Sequence, residues 1–193
     1  MYAKVENNQV VKVNSRLASF SKAAPAWDAA QRAANGIYEV EYNTANLKDT
    51  RFYINGAESF TFTNDKVIAS YAPAIGKSLV DINAVDENNQ PVLDDEGNQM
   101  VIPGLKTIEK KQIKAQAAGL LQSTDWYVVR KAETGAEIPA EVATYRTAVR
   151  AKSNEMEVAI DGAASVEALE ALFTYTKGAN DVSSRPLGEF PKL

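Results

Sequence analysis

The stretch Leu120-Leu121-Gln122-Ser123-Thr124-Asp125-Trp126 decides how the last third of this chain folds. Ile113 and Ala117 extend the two leucines into one helical face, because these apolar residues recur at i, i+4, i+7 and i+8. The polar run 123–125 then ends the helix, since short polar side chains hydrogen-bond to nearby backbone. The stretch therefore predicts a helix that ends in a sharp polar corner.

A second helix is predicted to begin near Pro139, a residue suited to a first helical turn. Its apolar face comprises Ile138, Val142, Tyr145 and Val149. Joined by a spacer, the two helices predict an antiparallel helical hairpin with Trp126 and Tyr145 packed in its corner. Ser165 predicts the cap of a third helix, which completes a helical module over residues 105–175. The inward residues of the third helix are Val166, Leu169, Leu172 and Phe173.

Residues 1–72 have the pattern of a small antiparallel sheet with one covering helix. Short segments of alternating apolar and polar residues lie between turn signals, as half-buried strands do. The pairs Asn7-Asn8, Asn55-Gly56 and Asn64-Asp65 predict hairpin turns, because these residues tolerate a left-handed backbone. The Ala-rich segment 21–34 predicts the helix. Such a unit is close to the lower size limit for independent stability.

The chain changes character at residues 73–104, where prolines and glycines separate short apolar runs. This composition predicts a linker or an inserted hairpin arm. Residues 176–193 are again rich in Gly, Ser and Pro and predict an extended tail. The whole pattern indicates an α+β fold: an N-terminal sheet with one helix, an arm, a helical module and a tail.

Composition excludes much chemistry. The 193-residue chain contains no Cys and no His, so it has no thiolate nucleophile, no imidazole base and no zinc site built from these residues. We expect no catalytic residue, no metal site and no cofactor. The net charge of −4 argues against a nucleic-acid surface, which depends on Lys and Arg. No apolar run approaches the ~20 residues of a membrane span, so no membrane partner is expected either.

Two kinds of motif invite a ligand-binding interpretation. Gly76-Lys77-Ser78 follows a predicted strand, but Tyr71 stands where a phosphate-binding loop needs its first glycine. The acidic runs 86–90 and 94–98 resemble calcium loops in composition only, since Pro91 stands where the first run needs a glycine. Hairpin turns are the interpretation that fits both acidic runs.

The corner supplies the candidate partner-binding residues. One interpretation is structural: Asp125 caps a helix or pairs with Arg146 or Arg150, and Trp126 fills the hairpin. The other is functional, because exposed Trp, Tyr and Arg dominate interface hot spots. Both hold if the hairpin is itself the binding element. The candidate residues are Asp125, Trp126, Tyr127, Tyr145, Arg146 and Arg150.

Leu-Leu, Thr-Asp-Trp, a Pro-containing spacer, Tyr-Arg and a further Arg follow one another over residues 108–152. In this order they resemble the C-terminal module of tail-fibre assembly chaperones and other tail-associated proteins of bacteriophages. The chain differs from that pattern in its long spacer, residues 127–138, and in extending well beyond Arg150.

The resemblance implies a non-enzymatic protein that binds a phage tail fibre and assists its assembly. The alternative is a structural component of the fibre or baseplate that stays in the virion. The expected partner is a tail-fibre or baseplate protein. The expected location is the host cytoplasm during assembly, or the virion tail.

Overall fold

The computed structural model describes residues 1–178 and 181–193 and confirms the predicted α+β class. Its contacts divide the chain into two compact units, Met1–Gly76 and Lys77–Leu193. The sheet belongs to the first unit and the long helices belong to the second. Each unit is described separately below.

The first unit contains a five-stranded sheet in the order β2-β1-β3-β6-β5. A two-stranded ladder of β4 and β7 accompanies it. The strands are β1 (Tyr2–Glu6), β2 (Gln9–Asn14), β3 (Ile37–Asn43), β4 (Tyr53–Ile54), β5 (Glu58–Thr63), β6 (Lys66–Tyr71) and β7 (Ile75–Gly76). The prediction of a wholly antiparallel sheet was wrong, because β3 and β6 pair in parallel. The β5–β6 hairpin inserts with β6 beside β3, which leaves β5 at the edge.

Two of the three predicted hairpin turns are confirmed. Asn7-Asn8 joins β1 to β2 and Asn64-Asp65 joins β5 to β6, and all four residues have positive φ angles between 49° and 63°. Asn55-Gly56 does not close a hairpin, because β4 before it pairs with β7 instead of β5. Gly56 is required there by crowding, since a Cβ atom would lie 2.5 Å from the carbonyl oxygen of Ala72.

The core of the first unit lies on one face of the sheet. Its main cluster contains the buried residues Ala3, Val5, Val40, Val67 and Ala69, and Ala24, Ile37, Phe52 and Tyr53 are buried elsewhere in the unit. Tyr38 and Phe62 pack against it with ring centroids 4.7 Å apart. Small and β-branched side chains at these positions suit a closely packed sheet surface.

The predicted helix over 21–34 is only partly formed. A 3₁₀ turn at Ala24–Ala26 precedes the α-helix α1 (Ala29–Ala34). Between them Asp28 has an extended backbone, and its side chain forms a capping box with Gln31 that starts α1. All six α1 residues are exposed or half-buried, so α1 does not cover the sheet core as expected.

The second unit opens with a short ladder between β8 (Ile82–Asn83) and β9 (Val101–Ile102). Four helices follow: α2 (Leu105–Gln122), α3 (Asp125–Thr134), α4 (Ala140–Gly162) and α5 (Val166–Phe173). The long helices α2 and α4 pack together. Leu105, Ile113 and Ala117 are buried on α2, facing a buried row on α4. The α4 row includes Val142, Tyr145, Val149, Met156 and Ile160.

The helix starts near Pro139 and at Ser165 are confirmed. Pro139 precedes α4, and the Ser165 hydroxyl accepts a hydrogen bond from the Ala168 backbone N–H at 3.2 Å. The spacer is not a loop, because most of residues 127–138 belongs to α3. Gly135, in the left-handed conformation at φ 74°, ends that helix.

The described part of the predicted extended tail folds back on its own unit; residues 179 and 180 lie outside the described residues. The strands β10 (Thr176–Lys177) and β11 (Ser183–Ser184) form an antiparallel pair. Beyond them Leu187 is buried, and its backbone N–H donates to the Leu172 carbonyl at 3.0 Å. Phe190 packs against the α2–α4 core. Burial of Leu187 and Phe190 therefore holds the tail against its own unit, although its composition is typical of turns.

Candidate functional site

The corner between α2 and α3 is held by one buried arginine. Arg146 lies on α4 with 6% of its surface exposed. Its guanidinium donates to the Leu121 carbonyl at 3.0 Å and to the Thr124 hydroxyl at 2.6 Å. It also forms an ion pair with Asp125, with 2.8 Å between Nη2 and Oδ1. A single side chain of α4 thus fixes the end of α2 and the start of α3.

These contacts satisfy groups that a helix end leaves unpaired. The last carbonyl groups of an α-helix have no partner within the helix. Here the Leu121 carbonyl accepts from both Arg146 and the Thr124 hydroxyl, and the Leu120 carbonyl accepts from the Tyr145 hydroxyl at 3.4 Å. A cation at a helix C-terminus is also favoured by the helix dipole. The corner is therefore rigid, because its polar groups are satisfied by one another.

The predicted pairing of Asp125 is resolved in favour of Arg146. Arg150 lies one turn further along α4, is exposed, and contacts the Arg146 carbonyl at 3.5 Å. Arg150 lines a shallow groove of about 360 Å³ between α2 and α4, with Ala117 and Ser153 among its lining residues. The structure therefore gives the two arginines different environments.

The prediction that Trp126 packs inside the corner was wrong, since 51% of its surface is exposed. Tyr145 occupies the interior, buried with Val149 and Ala117. The cause is the helix α3: Asp125 starts it, and the next residue points away from α2 and α4. A loop would have allowed the indole ring to fold inward.

On the outside of α3, Trp126 forms an aromatic cluster with Tyr127, with ring centroids 3.8 Å apart. The Arg130 guanidinium lies 4.9 Å from the Trp126 ring and 5.3 Å from the Tyr127 ring. Such cation–π contacts hold the three side chains together. Val129, 54% exposed, is one helical turn from Trp126. We call Trp126, Tyr127, Val129 and Arg130 the α3 surface.

Sequence reasoning missed Arg130 as part of this surface. Arg130 follows Trp126 by four residues and Tyr127 by three. This spacing places the three side chains together only if the segment is a helix, and the sequence did not predict α3. Arg130 makes one long hydrogen bond, 3.4 Å from Nη2 to the Glu137 carbonyl. Its Nε atom is buried and has no hydrogen-bond partner among the described residues. Because Nε is buried, any donor capacity for a ligand lies with the Nη groups, which make only that one long hydrogen bond among the described residues.

The two acidic runs have structural roles. Asp86 and Asp94 accept hydrogen bonds from backbone N–H groups of their own turns, as hairpin turns require. Within the described residues, no group of three or more acidic side chains is arranged to hold a metal ion. Across residues 1–178 and 181–193, no helix combines the length and the apolarity that crossing a bilayer requires.

Comparisons of the chain with protein-family models, with curated proteins and with solved structures find no match.

Proposed function

We propose that this chain is a non-enzymatic, phage tail-fibre-associated protein that binds the fibre and assists its assembly through the α3 surface. The phage assignment rests on the sequence resemblance over residues 108–152. The assignment of the binding element rests on one observation, the exposed Trp126 ring clustered with the half-buried Tyr127 and Arg130 on a corner that Arg146 holds in place.

The chemistry of the cluster supports protein binding. Trp, Tyr and Arg are the residues most enriched among interface hot spots, and the rings of Trp and Tyr bury large areas with few rotatable bonds. An indole ring that is half exposed gains apolar burial when a partner covers it. The unused donors of Arg130 would pair with a carboxylate or carbonyl of that partner.

The rigidity of the corner supports the same proposal. Binding loses affinity when side chains and loops must be ordered at the interface. Arg146 already fixes the start of α3 through three contacts, and Arg130 already stacks on both rings. Little ordering therefore remains when the fibre binds.

The structural alternative, a component that remains in the fibre or baseplate, ranks second. In that interpretation the tail would dock onto the particle. Leu187 and Phe190 instead pack on the helices of this chain, so these apolar side chains are not free for a partner. The α3 surface could serve either role, and the presence of the protein in finished particles distinguishes them.

The test is co-expression of the chain with the tail-fibre protein of the same phage genome, followed by affinity capture. The double variant Trp126→Ala, Arg130→Ala should lose the fibre and lower the yield of folded fibre. The matched control Lys111→Ala, Val158→Ala removes an exposed cation and an exposed apolar side chain from α2 and α4, and should retain the fibre. Equal capture by both variants would refute the α3 surface as the binding element.

A quantitative assay of purified particles tests the choice between the two roles. Absence of the protein from particles supports the assembly factor. A fixed ratio of the protein to the fibre supports the structural component.

A further inference from the structure

A second surface, independent of α3, lies on the segment of the second unit that precedes α2. The segment 84–99 is a tandem repeat of two eight-residue units, Ala-Val-Asp-Glu-Asn-Asn-Gln-Pro at 84–91 and Val-Leu-Asp-Asp-Glu-Gly-Asn-Gln at 92–99. Each unit begins with two apolar residues and an Asp. We call residues 80–103 the arm; it belongs to the second unit.

The two repeats form turns of the same geometry. The Asp86 Oδ1 atom accepts from the backbone N–H groups two and four residues later, at 2.9 and 2.8 Å. The Asp94 Oδ1 atom does the same at 3.0 and 2.8 Å. The equivalent residues Asn89 and Gly97 have positive φ angles of 59° and 84°. The repetition in sequence is thus a repetition in structure.

A closed ring of backbone hydrogen bonds joins three positions of the arm, residues 84, 92 and 100. Ala84 donates to the Met100 carbonyl at 2.8 Å, Met100 to the Val92 carbonyl at 2.8 Å, and Val92 to the Ala84 carbonyl at 3.0 Å. The side-chain amide of Gln99 contacts all three carbonyl oxygens, at 2.8 to 3.2 Å. Because these backbone groups are paired internally, the arm holds its shape by itself, and a partner must contact its side chains.

The side chains that the arm presents are apolar and exposed. Seven of them have at least 45% of their surface in solvent. They are Val80, Ile82, Val85, Leu93, Met100, Val101 and Ile102. Isolated exposed apolar residues are ordinary, but seven of them within 23 consecutive residues, 80–102, are a concentration typical of an interaction site.

The charge of the arm indicates what covers it. Residues 81–104 contain six acidic and no basic residues. Asp81, Asp86 and Asp94 accept hydrogen bonds from backbone N–H groups of the arm or its base. Asp95 and Glu96 stand exposed at the tip of the second turn, two and three residues after the exposed Leu93. A covering partner must therefore be apolar and must place positive charge opposite these carboxylates.

A second copy of the chain offers few free cations on its long helices. On α2, Lys110 pairs with Asp161 at 2.7 Å, Lys114 pairs with Glu157 at 3.2 Å, and Lys106 donates to the Asp161 carbonyl. Three of the four α2 lysines are thus engaged within their own unit. Charge complementarity favours a different protein as the partner.

We infer that the arm is a second docking surface, which binds a segment of another protein in which apolar residues alternate with lysine or arginine. The apolar side chains of the segment cover the arm, and its cations lie against the tip carboxylates. This inference does not depend on the tail-fibre assignment, because it uses neither the α3 surface nor the resemblance.

The test uses two short fluorescein-labelled peptides, one of alternating valine and lysine and one of alternating valine and glutamate. Fluorescence anisotropy with the full chain should show at least about tenfold tighter binding of the lysine peptide, weakening as salt increases. Leu93→Ser with Val101→Ser should weaken that binding at least about tenfold, since it removes apolar contacts. The matched control, Val11→Ser with Val158→Ser, should leave it unchanged; these valines are 53% and 73% exposed, at least as much as Val101, but lie elsewhere.

A second pair of variants isolates the position of the charge. Two double variants each remove two negative charges from the net charge of −4. The first is Asp95→Asn with Glu96→Gln, and the second is Glu133→Gln with Glu141→Gln. Only the first pair should weaken binding of the lysine peptide and reduce its salt dependence. These exposed positions leave the fold intact, which circular dichroism verifies.

Five results would overturn the inference. The first four are equal binding of the two peptides, insensitivity to the Leu93 and Val101 substitutions, equal loss in both charge variants, and arm-dependent self-association in sedimentation equilibrium. The last result would assign the arm to a second copy of the chain. Arm-dependent binding to phosphatidylcholine–phosphatidylglycerol vesicles would likewise assign it to a lipid surface and overturn the inference.

Discussion

Replacing Arg146 with Met should destabilise the helical unit by about 3 kcal/mol. The substitution keeps most of the apolar stem but removes the guanidinium. Two hydrogen bonds from a charged donor to the Leu121 carbonyl and the Thr124 hydroxyl are lost, and such bonds contribute about 1.5 to 3 kcal/mol each. The ion pair with Asp125 adds at most about 1 kcal/mol, since 55% of that side chain is exposed. Burying the cation of Arg146 also costs desolvation free energy, which the Met variant avoids. This difference offsets part of the lost stabilisation.

Native-state hydrogen exchange is the suitable measurement, because it reports the second unit separately from the first. The slowest amide protons of α2 and α4 should exchange about two orders of magnitude faster in the variant, the equivalent of about 3 kcal/mol. The slowest amide protons of β1, β3 and β6 should be unaffected.

The Asp125→Asn variant serves as the control. It removes only the exposed ion pair, so we expect it to change the free energy of unfolding by less than about 1 kcal/mol. If Arg146→Met also changes the free energy by less than about 1 kcal/mol, the buried arginine does not hold the corner, and the reasoning is refuted.

Three further predictions concern single residues. Trp126→Ala should lower stability by less than about 1 kcal/mol in chemical denaturation, because the ring is exposed; a loss of 3 to 5 kcal/mol, about the effect of removing a buried aromatic ring, would contradict this. Gly104→Ala should cost about 1 to 3 kcal/mol, because a Cβ atom there lies 2.4 Å from the Val80 carbonyl oxygen; a neutral effect in hydrogen exchange of the arm would count against the structure of its base. The pKa of Asp94 lies below its ordinary value of 3.8, because its carboxylate accepts backbone hydrogen bonds, foremost from Asn98. The ionised carboxylate therefore stabilises the second turn above pH 3.8. This stabilisation is lost as the pH falls through the lowered pKa. An NMR titration of the Asp94 carboxyl carbon, read with Asn98 amide exchange, checks this; an unshifted midpoint would contradict it.

Local signals predicted the elements that depend on neighbours in the chain. The Asn7-Asn8 and Asn64-Asp65 turns and the Ser165 cap each depend on a few consecutive residues, and the structure confirms them. The start of α4 near Pro139 was likewise predicted from the local sequence. The Asp125–Arg146 pair could be named, with Arg150 as the alternative, because Asp125 ends the first predicted helix and both arginines lie on the second helix of the same predicted hairpin.

Features that depend on distant residues were not readable. The parallel pairing of β3 with β6 depends on how residues 44–57 return the chain to the sheet. The three carbonyl groups around Gln99 come together only when the arm folds. The burial of Leu187 could not be predicted from its turn-rich neighbours, because its backbone N–H bonds to the distant Leu172 carbonyl of α5.

The helix α3 escaped prediction for a physical reason. All ten of its residues are exposed or half-buried, so its sequence carries no buried apolar stripe for periodicity to detect. The error about Trp126 follows from this, because a loop would have turned the ring inward and a helix turns it outward. The exposed position changes the expected role of Trp126 from packing to binding.

The most direct test of the proposed function is the affinity between the purified chain and the purified tail fibre of the same phage, measured by isothermal titration calorimetry. The account predicts that Trp126→Ala with Arg130→Ala weakens binding by at least about a hundredfold, while the control Lys111→Ala with Val158→Ala binds as the unaltered chain does. Binding that survives the loss of Trp126 and Arg130, or a fibre that does not bind the unaltered chain, would contradict it.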